Sequence, residues 1–427
     1  MDQLAKELNS ALENSSAGPL LSALGRRLFF PRGIIAQSTE AKKTAKINAT
    51  LGMAFHGGKP LYLSALKGQF PGLAPEEAVV YAPTAGVEIF RKAWKEGLLR
   101  KNPSLKEDDF TLPVVVPGIT AGLSFIADLF LDEGQVMLAG EPSWDNYSLI
   151  FAERRGAALR GIPLFKGKGL DLAAFEKALK EEAASGAVRI ILNFPHNPSG
   201  YTPVVSEIDA LIALIKEIAV SGAYVLVICD DAYFGLFYED YIAKETLFSR
   251  FAKLHDRVLA VKIDGPTKED YVWGLRTAFI SFGTGGLSLQ AREALEKKLM
   301  GAIRSSVSCA NTPAQYLTLK TWDDPSTAAD KEVFFTLLLR RYQAVKRFIE
   351  ENQPPATLEA LPFNSGYFMS FRCKSGNGEA LRQALLKKGI GTIALGSEYL
   401  RVTFAAVEEE DIPGVYRTIY ETAGELG

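Results

Sequence analysis

Cysteine and histidine are scarce in this chain. Each occurs three times in 427 residues: Cys229, Cys309 and Cys373, and His56, His196 and His255. Three widely spaced cysteines do not make a disulfide framework, and they point to a reducing compartment. The histidines have no metal-ligand spacing among them, which argues against a protein-bound zinc site. Charge of either sign is not in excess. A net charge of −2 gives no electrostatic case for nucleic acid or an anionic membrane as partner. No apolar run is long enough to span a bilayer. Residues 1–7, MDQLAKE, lack the apolar core of a signal peptide, so the cytoplasm is the expected location. There is no internal repeat and no low-complexity segment.

What is present is the composition of a globular protein, 47% apolar and 23% charged. A chain of this length exceeds one ordinary core, so two domains are expected. Residues 3–28 read as amphipathic helix interrupted at Gly18-Pro19, and residues 30–75 are rich in glycine and proline. Six apolar runs then alternate with helical segments: 114–116, 136–139, 188–193, 224–230, 258–263 and 277–282. Continuous apolar strands separated by helices predict a largely parallel sheet covered on both faces. Residues 330–352 read as a long connecting helix. Beyond Pro354-Pro355 the pattern is mixed: strand 366–371, helix 378–388, strands 391–395 and 399–404, and helix 408–425. That is a smaller α+β unit. The acidic run Glu408-Glu409-Glu410-Asp411 suits the start of its last helix.

Ligands of open parallel sheets bind beyond the carboxyl ends of the strands, so the residues after each run carry the functional information. Gly118-Ile119-Thr120 open a helix after the first run and offer free backbone N–H groups to an anion. The second run leads to Glu141-Pro142-Ser143-Trp144, and Trp144 could stack on a flat ring or simply pack. The third leads to Asn197-Pro198-Ser199-Gly200, which is ordinary turn chemistry or a side-chain amide aimed at a ligand. The fourth ends in Asp230, Asp231 and Tyr233. An acid closing so apolar a run needs a partner. A pyridinium nitrogen is one candidate, a helix cap or salt bridge another, and Asp231 competes with Asp230 for the role. The fifth is followed by Lys268. Lysine amines form Schiff bases and lose proton affinity when buried or placed near another cation. Lys262, inside the strand, is the weaker candidate. Arg276, eight residues on, suits a bidentate clamp on phosphate. An amine, an acid, a phenol and an arginine at strand ends are what holds pyridoxal phosphate covalently.

Taken together these residues resemble the fold type I pyridoxal-phosphate aminotransferases of class I/II, nearest the aspartate and aromatic amino acid branch, over most of the chain. The resemblance implies an α/β fold: a large domain built on a mostly parallel, doubly covered seven-stranded sheet, plus a smaller α+β domain. Residues 1–60 would form an N-terminal arm and part of the small domain, 61–325 the large cofactor-binding domain, and 326–427 the C-terminal small domain. It implies Lys268 as the Schiff-base lysine, Asp230 as the acid on the pyridine nitrogen and Tyr233 as the phenol on the 3′-oxygen. Trp144 would stack on the ring and Ala232 pack beneath it. Asn197 would contact both the cofactor and the substrate-carboxylate arginine, Arg401. Gly118, Ile119, Thr120, Arg276 and Ser308 would hold the phosphate. Tyr81 would reach the phosphate of a neighbouring subunit, which implies a homodimer with shared sites.

Three departures stand out. Gly265 occupies the place of the family's phosphate-binding serine. Residues 51–60, with Ala54 on the substrate side, are a shortened version of the family loop. In the segment 304–308 valine replaces an expected tyrosine, while Arg304 remains in place to bind a distal carboxylate. The expected activity is amino transfer between an L-amino acid, aspartate or glutamate foremost, and a 2-oxo acid such as 2-oxoglutarate. The alternatives are an aromatic or broad-specificity aminotransferase, or a β-lyase or decarboxylase on the same scaffold. A cofactor-binding module of a DNA-binding regulator is disfavoured by the short N-terminal segment and the lack of a basic patch.

Overall fold

The computed structural model describes residues 3–29, 55–56, 59–60 and 72–426. Ala54 and the rest of the shortened loop lie outside the described residues, apart from the strand pairing of Phe55–His56 with Lys59–Pro60.

Seven strands form the central sheet: β1 (Val114–Val116), β2 (Val136–Glu141), β3 (Ala158–Pro163), β4 (Ala187–Asn193), β5 (Tyr224–Asp230), β6 (Val258–Asp264) and β7 (Ala278–Phe282). Their order across the sheet is β1-β7-β6-β5-β4-β2-β3. The pairings among β2 to β6 are parallel, and only β7 runs against its two neighbours. The six apolar runs are therefore the five inner strands and β1, the fully buried strand at one edge. The seventh, β3, is an edge strand that carries Arg160 and is partly exposed, so its run is not continuously apolar.

Helices cover both faces of the sheet. In chain order they include α1 (Gln3–Leu12), α2 (Glu88–Lys101), α3 (Ile119–Phe130), α4 (Leu172–Ala183), α5 (Val205–Val220), the single turn α6 (Pro266–Glu269), α7 (Leu289–Arg304) and α8 (Thr312–Asp323). Two apolar cores result. Alternate residues of β5 and β6 serve each: Leu226, Ile228, Leu259 and Val261 on one face, Val225, Val227, Val258 and Ala260 on the other. Burying both faces is what requires the continuous apolar runs.

The long helix α9 (Ser326–Glu351) leads to the smaller unit. There, β8 (Leu358–Ala360), β9 (Phe368–Cys373), β10 (Ile393–Leu395) and β11 (Tyr399–Thr403) pair antiparallel in the order β8-β9-β11-β10. Helices α10 (Gly378–Lys387) and α11 (Ile412–Glu425) pack on this sheet around Met369, Phe371, Leu400, Val402 and Tyr416. The acidic run forms a short 3-10 turn just before α11.

Residues 3–29 dock on the large unit. Helix α1 lies along α7, Ser22 Oγ donates to Asp128 O at 2.7 Å, and Gly25 approaches the backbone of Leu129 so closely that a Cβ would sit 2.1 Å from its carbonyl oxygen. The described contacts of residues 3–29 run to α3, α7 and β5 of the large unit.

Candidate active site

Register brings the strand ends into one line. Asn193 pairs with Asp230 across β4 and β5, and Asp230 pairs with Ile263 across β5 and β6. Just beyond this line lies a cleft of about 240 Å³ lined by Ile119, Thr120, Trp144, Asn193, Asn197, Asp230, Ala232, Tyr233, Thr267, Lys268 and Arg276.

Asp230 is buried at the back of the cleft. Tyr147 donates to its Oδ2 at 2.6 Å and the Ala232 amide to its Oδ1 at 3.2 Å. Burial pushes the Asp230 carboxyl up to about 6, with the Tyr147 bond and the Lys268 charge acting against the rise. Burial lowers the proton affinity of the Lys268 amine, and Arg276 adds to the effect while Asp230 opposes it. The Lys268 Nζ lies 5.0 Å from the Tyr233 ring centre. Of the neighbouring candidates, Asp231 and Lys262 pair with each other and do not line the cleft.

The cleft also has an end suited to an anion. The α3 N-terminus follows Gly118, whose φ of 90° falls in the left-handed region that favours glycine. A Cβ on Gly118 would meet the Arg276 guanidinium at 2.3 Å, so the missing side chain lets that guanidinium lie against the turn. Thr120 and Thr267 line the same cleft. Gly265 has a steric cause. A Cβ there would lie 2.8 Å from Ala278 Cα and 2.9 Å from Thr277 O, both backbone atoms, so a serine does not fit.

The small unit supplies Arg401 from β11. Its Nη1 donates to Asn197 Oδ1 at 3.1 Å, and its guanidinium lies 4.6 Å from the Phe368 ring centre. Asn197 is itself fixed, because its amide donates to Asn193 Oδ1 at 2.8 Å while Asn193 Nδ2 donates to Asp230 O at 2.7 Å. Ser370 Oγ donates to Pro198 O at 2.7 Å and ties β9 to the same turn.

Tyr81, Arg304 and Ser308 are not brought into this cleft. Tyr81 is 69% exposed, Arg304 is exposed at the end of α7, and Ser308 has a left-handed φ of 65° beyond it. Cys309, next to Ser308 in the chain, interacts with the backbone of Ala82, next to Tyr81, and feels the Arg304 charge. Tyr147, Asn193, Thr267 and Phe368 were not singled out from the sequence. Three of them had a signal: Asn193 closes an apolar run, Thr267 precedes the lysine, and Tyr147 follows Trp144 by three residues.

The donor set fits pyridoxal phosphate. A buried acid, a partly buried amine of lowered proton affinity, a flanking indole and an anion-binding helix start surround one cleft. No helix among the described residues is long and apolar enough to cross a membrane, and no group of three or more potential ligands among them could hold a metal ion.

Comparison with known proteins defines the class. The family model for aminotransferase class I and II matches residues 62–419, and the chain belongs to that family. It is a pyridoxal-phosphate-dependent aminotransferase of fold type I. The chain is 26% identical over 350 residues to the "Probable aspartate/prephenate aminotransferase" of Aquifex aeolicus, covering 79% of this chain and 82% of that protein. It is 22% identical over 369 residues to the aspartate aminotransferase of Sulfurisphaera tokodaii, covering 79% and 81%. Among solved structures, an aminotransferase from Anaerococcus prevotii superposes with a TM-score of 0.74 at 23% identity, over 91% of this chain and 95% of that one.

Proposed function

We propose that this aminotransferase moves an amino group between L-aspartate or L-glutamate and a 2-oxo acid such as 2-oxoglutarate. It works as a homodimer in which Tyr81, Ser308 and Arg304 serve the neighbour's cleft. The observation that carries the reading is the placement of two functions on one cleft. Buried Asp230 and half-buried Lys268 line the cleft on the large unit, and Arg401 of the small one, held by Asn197 and Phe368, bonds the cleft-lining Asn197.

Pyridoxal phosphate, when bound, supplies an electron-withdrawing ring that acidifies the Cα of an attached amino acid. Lys268 would hold it covalently, with Asp230 facing the ring nitrogen, Tyr233 the 3′-oxygen, Trp144 and Ala232 flanking the ring, and Gly118, Ile119, Thr120, Thr267 and Arg276 serving the phosphate. Arg401 and Asn197 grip the α-carboxylate of the substrate. The Lys268 amine, at the floor of the same cleft, would serve as the base that takes the proton from the substrate Cα. Its lowered proton affinity favours the neutral form that this step requires. Arg304 of the neighbour receives the distal carboxylate. The Aquifex relative, named a probable aspartate/prephenate aminotransferase, and the Sulfurisphaera relative, named an aspartate aminotransferase, support this donor class.

The holoenzyme given one amino acid and no oxo acid is the test. Aspartate and glutamate are expected to bleach the visible cofactor absorbance in a single turnover. If both are inert while phenylalanine reacts, the assignment of Arg304 is wrong. Sustained release of pyruvate and ammonia would instead mark a β-lyase. Full transamination by Lys268→Ala would remove the site itself.

A further inference from the structure

Lys262 lines no part of the cleft, yet it is fully buried within a central strand. Its ammonium contacts Asp231 and lies 3.2 Å from Asp264 Oδ2. Thr246 Oγ1 also donates to Asp231, and Trp94 Nε1 donates to the two Asp264 oxygens at 3.1 and 3.2 Å. The Phe234 ring closes one side, 5.2 Å from the amine. Stability alone does not explain such a cluster, because a buried ion triad is commonly no better than apolar residues of the same volume. Its position in the chain is informative. Asp231 directly follows Asp230, and Asp264 ends β6 four residues before Lys268. The Asp231 amide donates to Ile263 O at 2.9 Å and joins the same two strand ends.

We propose that Lys262 is a positioning residue for the reaction: by gathering Asp231 and Asp264 onto one amine, it fixes the strand ends from which Asp230 and Lys268 reach the cofactor. The proposal rests on the reading of Asp230 and Lys268 given above. The ionisable groups around the cluster are few. Cys229 is the register partner of Lys262 on β5, and burial pushes its thiol up, so it stays neutral. Asp230 and Lys268 lie on the cleft side. On the far side Lys101 sits 5.1 Å from the Trp94 ring centre and pairs with Glu269. The charge of Asp231 therefore bears directly on Asp230, where it favours the protonated form.

The experiment uses the full-length holoenzyme. The neutral triple variant Asp231→Asn/Lys262→Met/Asp264→Asn is expected to melt near the wild-type temperature. It should nevertheless show kcat lowered roughly tenfold, from loss of positioning, and release cofactor faster on dilution. A cluster serving only the fold would give wild-type kcat and cofactor release, and that result overturns the proposal. Should the triple variant not fold, Asp231→Asn keeps the Lys262–Asp264 pair and removes one negative charge beside Asp230. The pH midpoint of the bound cofactor's visible absorbance is then expected to fall, by up to about one unit. An unmoved midpoint overturns the proposal. Wild-type absorbance in Lys268→Ala would overturn the site reading instead, and this proposal with it.

Discussion

Asp230 carries a cost that only its ligand can offset. In the protein alone its burial favours the protonated form, with a folded value of about 6 against an ordinary 3.8. Well below pH 3.8 the carboxyl is protonated in folded and unfolded chains alike, and the native state bears no penalty. As pH rises from 4 to 6 the unfolded chain gives up its proton first, so folding stability falls. Above that window the ionised folded form is penalised by roughly 3 kcal/mol at most. Asp230→Asn cannot ionise, and Tyr147 can still donate to its amide oxygen. We therefore expect apo Asp230→Asn to match the wild type in denaturant titrations near pH 4 and to exceed it by up to about 3 kcal/mol at pH 7.5. With cofactor bound the advantage should shrink, because a pyridinium partner favours the carboxylate. Equal apo stabilities at both pH values would show that burial does not weigh on this acid.

At the scale of elements, the turn between β6 and α6 is the tightest piece of the site. Gly265 passes so close to β7 that the backbone of Thr277 and Ala278 occupies the space of a side chain. Gly265→Ser would restore the hydroxyl that the family usually carries, but we expect it to harm the protein. Overpacking against backbone should lower stability by about 1–3 kcal/mol and displace the turn that bears Lys268. Thermal melts and cofactor retention check this; a variant of unchanged stability that holds cofactor more tightly would refute it. Inner strands such as β4, β5 and β6 were legible because burial on both faces leaves a continuous apolar run. The edge strand β3 was not, since it alternates with Arg160 and other part-exposed residues. The reversed direction of β7 leaves no mark on composition, because the strand is as buried as its parallel neighbours. Lys268, Asp230 and Asn197 were legible for the same reason as the strands they end or follow, and Arg276 by its spacing from Lys268. Tyr147 and Phe368 were not, because each acts on a partner distant in sequence: Asp230 lies 83 positions from Tyr147, and the Phe368 ring matters through Arg401.

At the scale of the whole molecule, the residues that stay outside the cleft set the next prediction. Tyr81, Arg304 and Ser308 do not line their own cleft, and Tyr81 and Val307, the residue before Ser308, are 69% and 46% exposed. Exposed aromatic and aliphatic side chains beside an arginine suit the face of a symmetric dimer, where each patch meets the partner's cleft. Complementation decides the matter. Lys268→Ala and Arg304→Ala, each prepared alone, should have little activity toward aspartate. Co-expressed in equal amounts, about half the dimers would be mixed, and each mixed dimer would contain one site with both defects and one with neither. Activity should therefore recover to about a quarter of the wild-type level for aspartate. If Arg304 instead acted within its own chain, every site in the mixture would keep one defect and no recovery would follow. A mixture that stays inactive, with mixed dimers demonstrated by differential tags, would confine each site to a single chain.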